Sequence, residues 1–65
     1  MFAKRLKELR GEKGLSQKEL AQFLNVSKQN ISDWENAKSA TNFEMLAKVA
    51  KFFEVTTDYL LGLED

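Results

Sequence analysis

The sequence predicts an all-α fold of five short helices. Three observations carry that expectation. The 65 residues contain no Pro and only seven β-branched side chains, so strand propensity is low and helix propensity high. Ser and Thr recur at four positions with the surroundings of a helix N-cap. Between those positions, apolar residues repeat at helical spacing.

The elements follow in order. Phe2, Leu6 and Leu9 lie at i, i+4 and i+7, which predicts a first helix over roughly residues 2–13. Gly14 closes it, where a left-handed residue is wanted. Ser16 with Glu19 forms a capping box, flanked by Leu15 and Leu20 at the staple positions. It opens a second helix over roughly 17–24 whose apolar face is Leu20, Ala21, Phe23 and Leu24. Ser27, with Val26 and Ile31, opens a third over roughly 28–36, with Ile31 and Trp34 facing inward. Thr41 with Glu44 is a further capping box, though Ala40 is a weak staple partner for Met45. A fourth helix over roughly 42–53 carries Phe43, Leu46, Ala47, Ala50 and Phe53 on its face. Thr56, with Val55 and Leu60, opens a short fifth helix over roughly 57–61, closed by Gly62.

Composition bounds the function. A chain of this length holds one core, so residues 1–65 are expected to form a single domain. Neither Cys nor His is present, which excludes disulfides, Cys/His zinc sites and catalytic triads built on those residues. No metal or cofactor is implied, and no catalytic arrangement of Ser, Lys and carboxylates stands out, so an enzyme is not expected. The longest apolar runs are two or three residues, too short to cross a bilayer. Met1-Phe2-Ala3-Lys4-Arg5 is not followed by the apolar block of a secretory signal, and the expected location is the cytoplasm.

The joint between the second and third helices carries the function. Three residues, Asn25-Val26-Ser27, force a sharp angle, as in a helix-turn-helix. Ala21 is small where the two helices would cross. Asn25 tolerates the positive φ that such a turn needs, although Gly does so at lower cost. Ile31 packs back towards Ala21.

Here the sequence resembles the Cro and phage-repressor helix-turn-helix family, often called the XRE family. The resemblance rests on Leu15-Ser16-Gln17-Lys18-Glu19-Leu20-Ala21, Val26-Ser27 and Ile31-Ser32-Asp33-Trp34-Glu35. It continues through Leu46-Ala47-Lys48-Val49-Ala50 and Asp58-Tyr59-Leu60-Leu61-Gly62, and spans residues 2–62. It implies a λ-repressor-like DNA-binding domain that lays its third helix in the major groove of double-stranded DNA.

On the third helix, Lys28, Gln29, Ser32, Asp33 and Asn36 fall within an arc of about 140°, opposite Ile31 and Trp34. Such an arc is also what any solvated helix face looks like. Its side chains can nevertheless meet base edges: Gln suits adenine, Lys guanine, and Asp or Ser cytosine or mixed sites. The resemblance implies Lys28, Gln29 and Asp33 as leading base readers, with Asn30 and Ser32 beside them. Asp33 has three possible roles: accepting from cytosine, restraining Lys28 or Gln29, or repelling phosphates. The free N–H groups at the start of the second helix, with Ser16 and Gln17, are expected to clamp a phosphate, as in the family. Asn36 and Lys38 lie where the family also contacts the DNA backbone. Trp34 sits at core spacing and reads as a packing residue. Arg10 and Glu35 occupy positions that the family commonly pairs, and are expected to orient the first and third helices.

The chain departs from the family at three places. Asn25 and Ala37 stand where Gly is usual, and Ser39-Ala40-Thr41 replaces a basic or Pro-bearing loop. Fewer cations there mean fewer neutralised phosphates and a shallower salt dependence. A homodimer on DNA would compensate by reading two half-sites; Phe52, Leu60, Leu61 and Leu63 are candidates for its contact.

The expected function is therefore sequence-specific transcriptional regulation, of repressor type, on a palindromic operator. The alternative is a protein-interaction module on the same scaffold, antitoxin-like or adaptor. The charge motivates it: ten basic against ten acidic residues give zero net charge, where DNA-binding domains are usually basic. That zero conceals a polarity. Residues 1–28 hold seven basic and three acidic side chains, a net of +4, and residues 29–65 hold three and seven, a net of −4. The positive half includes the start of the third helix, where DNA would lie.

Overall fold

The computed structural model describes residues 1–64, and its architecture is all-helical: α1 (Phe2–Glu12), α2 (Gln17–Leu24), α3 (Lys28–Glu35), α4 (Phe43–Phe53) and α5 (Thr57–Leu61). The N-termini are set by side-chain caps. Ser16 Oγ accepts from the Glu19 N–H at 3.0 Å while Glu19 Oε1 accepts from the Ser16 N–H at 2.9 Å, closing the capping box. Ser27 caps the Asn30 N–H at 3.1 Å and Thr56 the Tyr59 N–H at 3.0 Å.

The start of α4 differs from the expectation. Asn42, not Thr41, is the N-cap, accepting from the Met45 N–H at 2.7 Å, and the helix begins one residue later than the Thr41–Glu44 box predicts. Asn is the stronger N-cap of the two. Thr41 Oγ1 is instead buried, with no hydrogen-bond partner among the described residues.

All five helices end on the same motif. A left-handed residue follows each C-terminus: Gly14, Asn25, Ala37, Glu54 and Gly62, at φ between 56° and 79°. Around each one a 6→1 and a 5→2 backbone hydrogen bond close the Schellman pattern, such as Val26 N–H to Ala21 O (2.9 Å) and Asn25 N–H to Gln22 O (3.3 Å). Ala37 and Glu54 hold this conformation without the freedom of Gly, at about 1–2 kcal/mol each. Apolar side chains just beyond the turns secure three of these motifs, since half-buried Leu15, Val26 and Val55 pack on the core.

The core is formed by Leu6 and Leu9 of α1, Leu20, Ala21 and Leu24 of α2, Ile31 and Trp34 of α3, Leu46, Val49, Ala50 and Phe53 of α4, and Leu60 of α5. Among the described residues it contains no buried polar or charged residue. The Phe2 ring meets Trp34 edge-on at 6.4 Å. Two residues expected on apolar faces lie outside. Phe23 is 62% exposed and packs its ring 5.3 Å from that of Phe52. It sits about 105° around α2 from the stripe centred between Leu20, Ala21 and Leu24. Phe43 is 80% exposed. As the first residue of α4, its Cβ points back beyond the helix end and past the core. Ala47 is exposed and Val49 takes the inward place. Leu60, a candidate for the dimer contact, is fully buried and unavailable for one.

One cross-link between helices has no counterpart in the sequence pattern. Lys48 of α4 donates from Nζ to the Leu24 carbonyl at 2.6 Å, placing a cation at the C-terminus of α2.

Candidate nucleic-acid interface

The site is built from α2, α3 and the joint between them. Asn25 turns the chain at φ 59° and ψ 44°, and Ser27 starts α3 from extended backbone. Buried Ala21 and Ile31 fix the contact of α3 on α2, and buried Trp34 fixes α3 against α1 through Phe2. These anchors use the inward face of α3. Lys28, Gln29, Asn30 and Asn36 remain exposed, and Ser32 and Asp33 are half-buried.

The outward face is partly pre-paired. Gln29 Nε2 donates to Asp33 Oδ1 at 2.8 Å, and Asn36 Nδ2 donates to Ser32 Oγ at 3.3 Å, each across one helical turn. Lys28 and Lys38 make neither an ion pair nor a side-chain hydrogen bond among the described residues, so both charges stay available. Lys38 also closes the C-terminus of α3, its N–H donating to Asp33 O at 2.8 Å.

At the start of α2, Ser16 uses its hydroxyl for the cap. The N–H groups of Gln17 and Lys18 occupy the first two helical positions, where no carbonyl of the helix can reach them. Those two donors and the positive helix end form an anion-accepting corner. Glu19 lies beside it, its pKa held below the ordinary value first by the Ser16 N–H and then by the Ser16 hydroxyl. The Gln17 side chain turns inward instead. Its Nε2 donates to Glu35 Oε1 at 3.1 Å, so the amide joins the scaffold and leaves the backbone N–H groups as the exposed donors.

Glu35 is the hub beneath this surface. Arg10 forks onto it, with Nε to Oε2 at 2.7 Å and Nη2 to Oε1 at 3.0 Å, while Arg10 Nη1 donates to Leu15 O at 2.9 Å. The Glu35 side chain is only 3% exposed and that of Arg10 18%. The hydrogen bond to Glu35 raises the Arg10 pKa above its already high ordinary value, partly opposed by burial, so the guanidinium stays charged. The Arg10–Glu35 pair thus ties α1, the α1–α2 turn, the first residue of α2 and the last of α3 together. The position-by-position sequence reading places Gln17 only at the phosphate corner. Its bond to Glu35 spans 18 residues and has no local signature.

Two helices joined by a three-residue turn, the second presenting a polar face held rigidly from behind, define a helix-turn-helix protein. Comparison with known proteins agrees. A helix-turn-helix family model matches residues 6–60, and the chain belongs to that family, of the Cro/C1 or XRE type. It is 45% identical over 64 residues to the HTH-type transcriptional activator BcrR of Enterococcus faecalis, covering 98% of this chain and 31% of BcrR. The fold matches that of the biofilm master regulator SinR, solved in complex with DNA, at TM-score 0.85 and 34% identity, covering 94% of this chain and 98% of that one. It also matches the P22 c2 repressor, solved in complex with a synthetic operator, at TM-score 0.86 and 28% identity, covering 92% and 91%. The chain spans less than two thirds of the length of the curated relatives it matches. The relatives bear the names of transcriptional regulators, not of enzymes. No helix among the described residues is long and apolar enough to cross a membrane.

Proposed function

We propose that this chain is a sequence-specific double-stranded-DNA-binding module of a bacterial or phage transcriptional regulator, with residues 1–65 acting as one unit in the cytoplasm. The observation that carries the proposal is the outward face of α3. Lys28, Gln29, Asn30 and Ser32 are polar groups of base-edge chemistry on a helix whose other face is locked into the core. That SinR and the P22 c2 repressor were solved on DNA with this same fold supports it. In this reading α3 enters the major groove, where Lys28, Gln29, Asn30 and Ser32 meet bases. The α2 N-terminus capped by Ser16 receives a phosphate through the N–H groups of Gln17 and Lys18, and Asn36 and Lys38 meet the backbone beyond α3.

Lys28 and Lys38 are few cations for a duplex, so a single copy binds weakly and two copies on a palindromic operator act together. Met1, exposed, lies over Gly62 and lines a surface depression with exposed Leu61, and exposed Leu63 follows Gly62 in the chain. This apolar patch is the proposed contact between copies, with buried Leu60 behind it. Repression by occlusion of a promoter is the regulatory outcome that follows most simply from such binding.

Selection of bound duplexes from a random DNA pool tests the proposal. A palindromic consensus with salt-sensitive binding is expected; absence of binding to any duplex at about 50 mM salt would sink it. The exposed Phe23 and Phe43 and the zero net charge favour a protein-interaction module as the second reading. Under that reading, replacing Lys28 and Gln29 together by Ala leaves activity intact.

A further inference from the structure

We propose that Asp33 is a positioning residue that makes Gln29 a reader of adenine and an excluder of guanine. The inference rests on the major-groove reading of α3 given above. The Gln29 side-chain nitrogen donates to Asp33 Oδ1 at 2.8 Å. Only the nitrogen end of an amide can face a carboxylate, because the other end would set oxygen against oxygen. The contact therefore fixes which way round the amide stands.

That orientation changes what the amide can read. An unrestrained Gln has two N–H donors and one acceptor oxygen. It can offer a donor and the acceptor to adenine, or turn both donors towards the two acceptors of guanine, N7 and O6. With one N–H committed to Asp33, one donor and the oxygen remain. That pair complements N7 and the N6 amino group of adenine. Against guanine, the amide oxygen meets O6, acceptor against acceptor. Asp33 itself holds no cation, since Arg10–Glu35 is the only ion pair among the described residues. Its charge repels the phosphates of every sequence alike, so it lowers affinity without choosing a base.

The test uses the base pair whose preference disappears in Gln29→Ala during selection from a random pool. Dissociation constants are measured for operators with adenine or guanine there, at one salt concentration. The unsubstituted chain prefers adenine about tenfold or more, as for one bidentate contact. Asp33→Ala reduces that preference to about threefold or less. Asp33→Asn retains more of it than Asp33→Ala does, because its carbonyl oxygen can still accept from Gln29, although its amide can also turn and donate to the Gln29 oxygen. Both variants lose the same negative charge, so their difference isolates the hydrogen bond. A second measurement needs no variant: in the free chain, NMR relaxation finds the Gln29 side-chain amide more ordered than that of exposed Gln22. Undiminished discrimination in Asp33→Ala, equal loss in both Asp33 variants, or a Gln29 amide as mobile as that of Gln22 overturns the pairing alone. Failure of the unsubstituted chain to bind any duplex overturns the DNA-binding function, and this inference with it.

Discussion

Replacing Arg10 by Met strips the two strongest donors from a carboxylate that is 3% exposed. Glu35 would then keep only the neutral amide of Gln17 at 3.1 Å. Breaking a buried pair from one side costs about 3–5 kcal/mol. The remaining Gln17 bond and the 18% exposure of Arg10 put the expected loss at the low end, about 3 kcal/mol. A chain of this size has roughly 3–10 kcal/mol of total stability, so the variant would lose much of it. At about 4–8 °C per kcal/mol, Tm falls by at least about 12 °C. Glu35→Gln is milder, about 1.5 kcal/mol, because an acceptor oxygen survives and the Arg10 guanidinium can take up water. Arg10→Met with Glu35→Met removes both charges and returns the stability to within about 1 kcal/mol of the unsubstituted chain. Glu35→Met alone completes the double-mutant cycle, in which the coupling between the two sites is about 2 kcal/mol or more. Urea unfolding followed by the fluorescence of Trp34, the single Trp and a core residue, measures all five chains. Additive effects, or an Arg10→Met loss under about 1 kcal/mol, would refute the view that Glu35 is a buried carboxylate dependent on its partner.

Three further outcomes are expected. Ala37→Gly relieves the left-handed backbone at φ 56° and raises stability by about 0.5–1 kcal/mol despite the added freedom of the unfolded chain; a lower Tm contradicts this. Glu19, with its folded pKa depressed, contributes stability that is present above its ordinary value of 4.5 and lost as pH falls through the lower folded value. Glu19→Gln, which keeps an acceptor in the capping box but does not titrate, should flatten the stability–pH curve in that acidic window, and an unchanged curve argues against the box. Lys38→Ala should weaken binding to all duplexes by a similar factor and reduce the salt slope by about one; a base-specific effect would mean that Lys38 reads sequence.

The fold was legible where its causes are local. The Ser16–Glu19 box, the Ser27 and Thr56 caps and the turn at Asn25 involve residues within a few positions of one another, and they set the five-helix architecture. Phe23 and Phe43 were not legible as exposed, because apolar character alone does not say which residues fall at the edge of a stripe or past the end of a helix. Glu54 gives no hint of its positive φ, since neither Gly nor Asn marks the turn; the two hydrogen bonds around it impose the conformation. In the candidate site, the polar arc of α3 follows from helical periodicity, and Lys28 and Gln29 can be named from it. The bonds from Gln17 to Glu35 and from Lys48 to the Leu24 carbonyl span 18 and 24 residues and come from packing alone.

The central claim is that α3 and the start of α2 are the surface that meets DNA. Backbone amide chemical shifts of the isotopically labelled chain, followed during titration with a duplex recovered by selection, test it most directly. The account predicts that the large changes fall on Gln17–Lys18 and Lys28–Asp33, extend to Asn36 and Lys38, and diminish as salt rises. Changes confined to Met1, Leu61 and Leu63, or to exposed Phe23 and Phe43, with α3 unmoved, would contradict it.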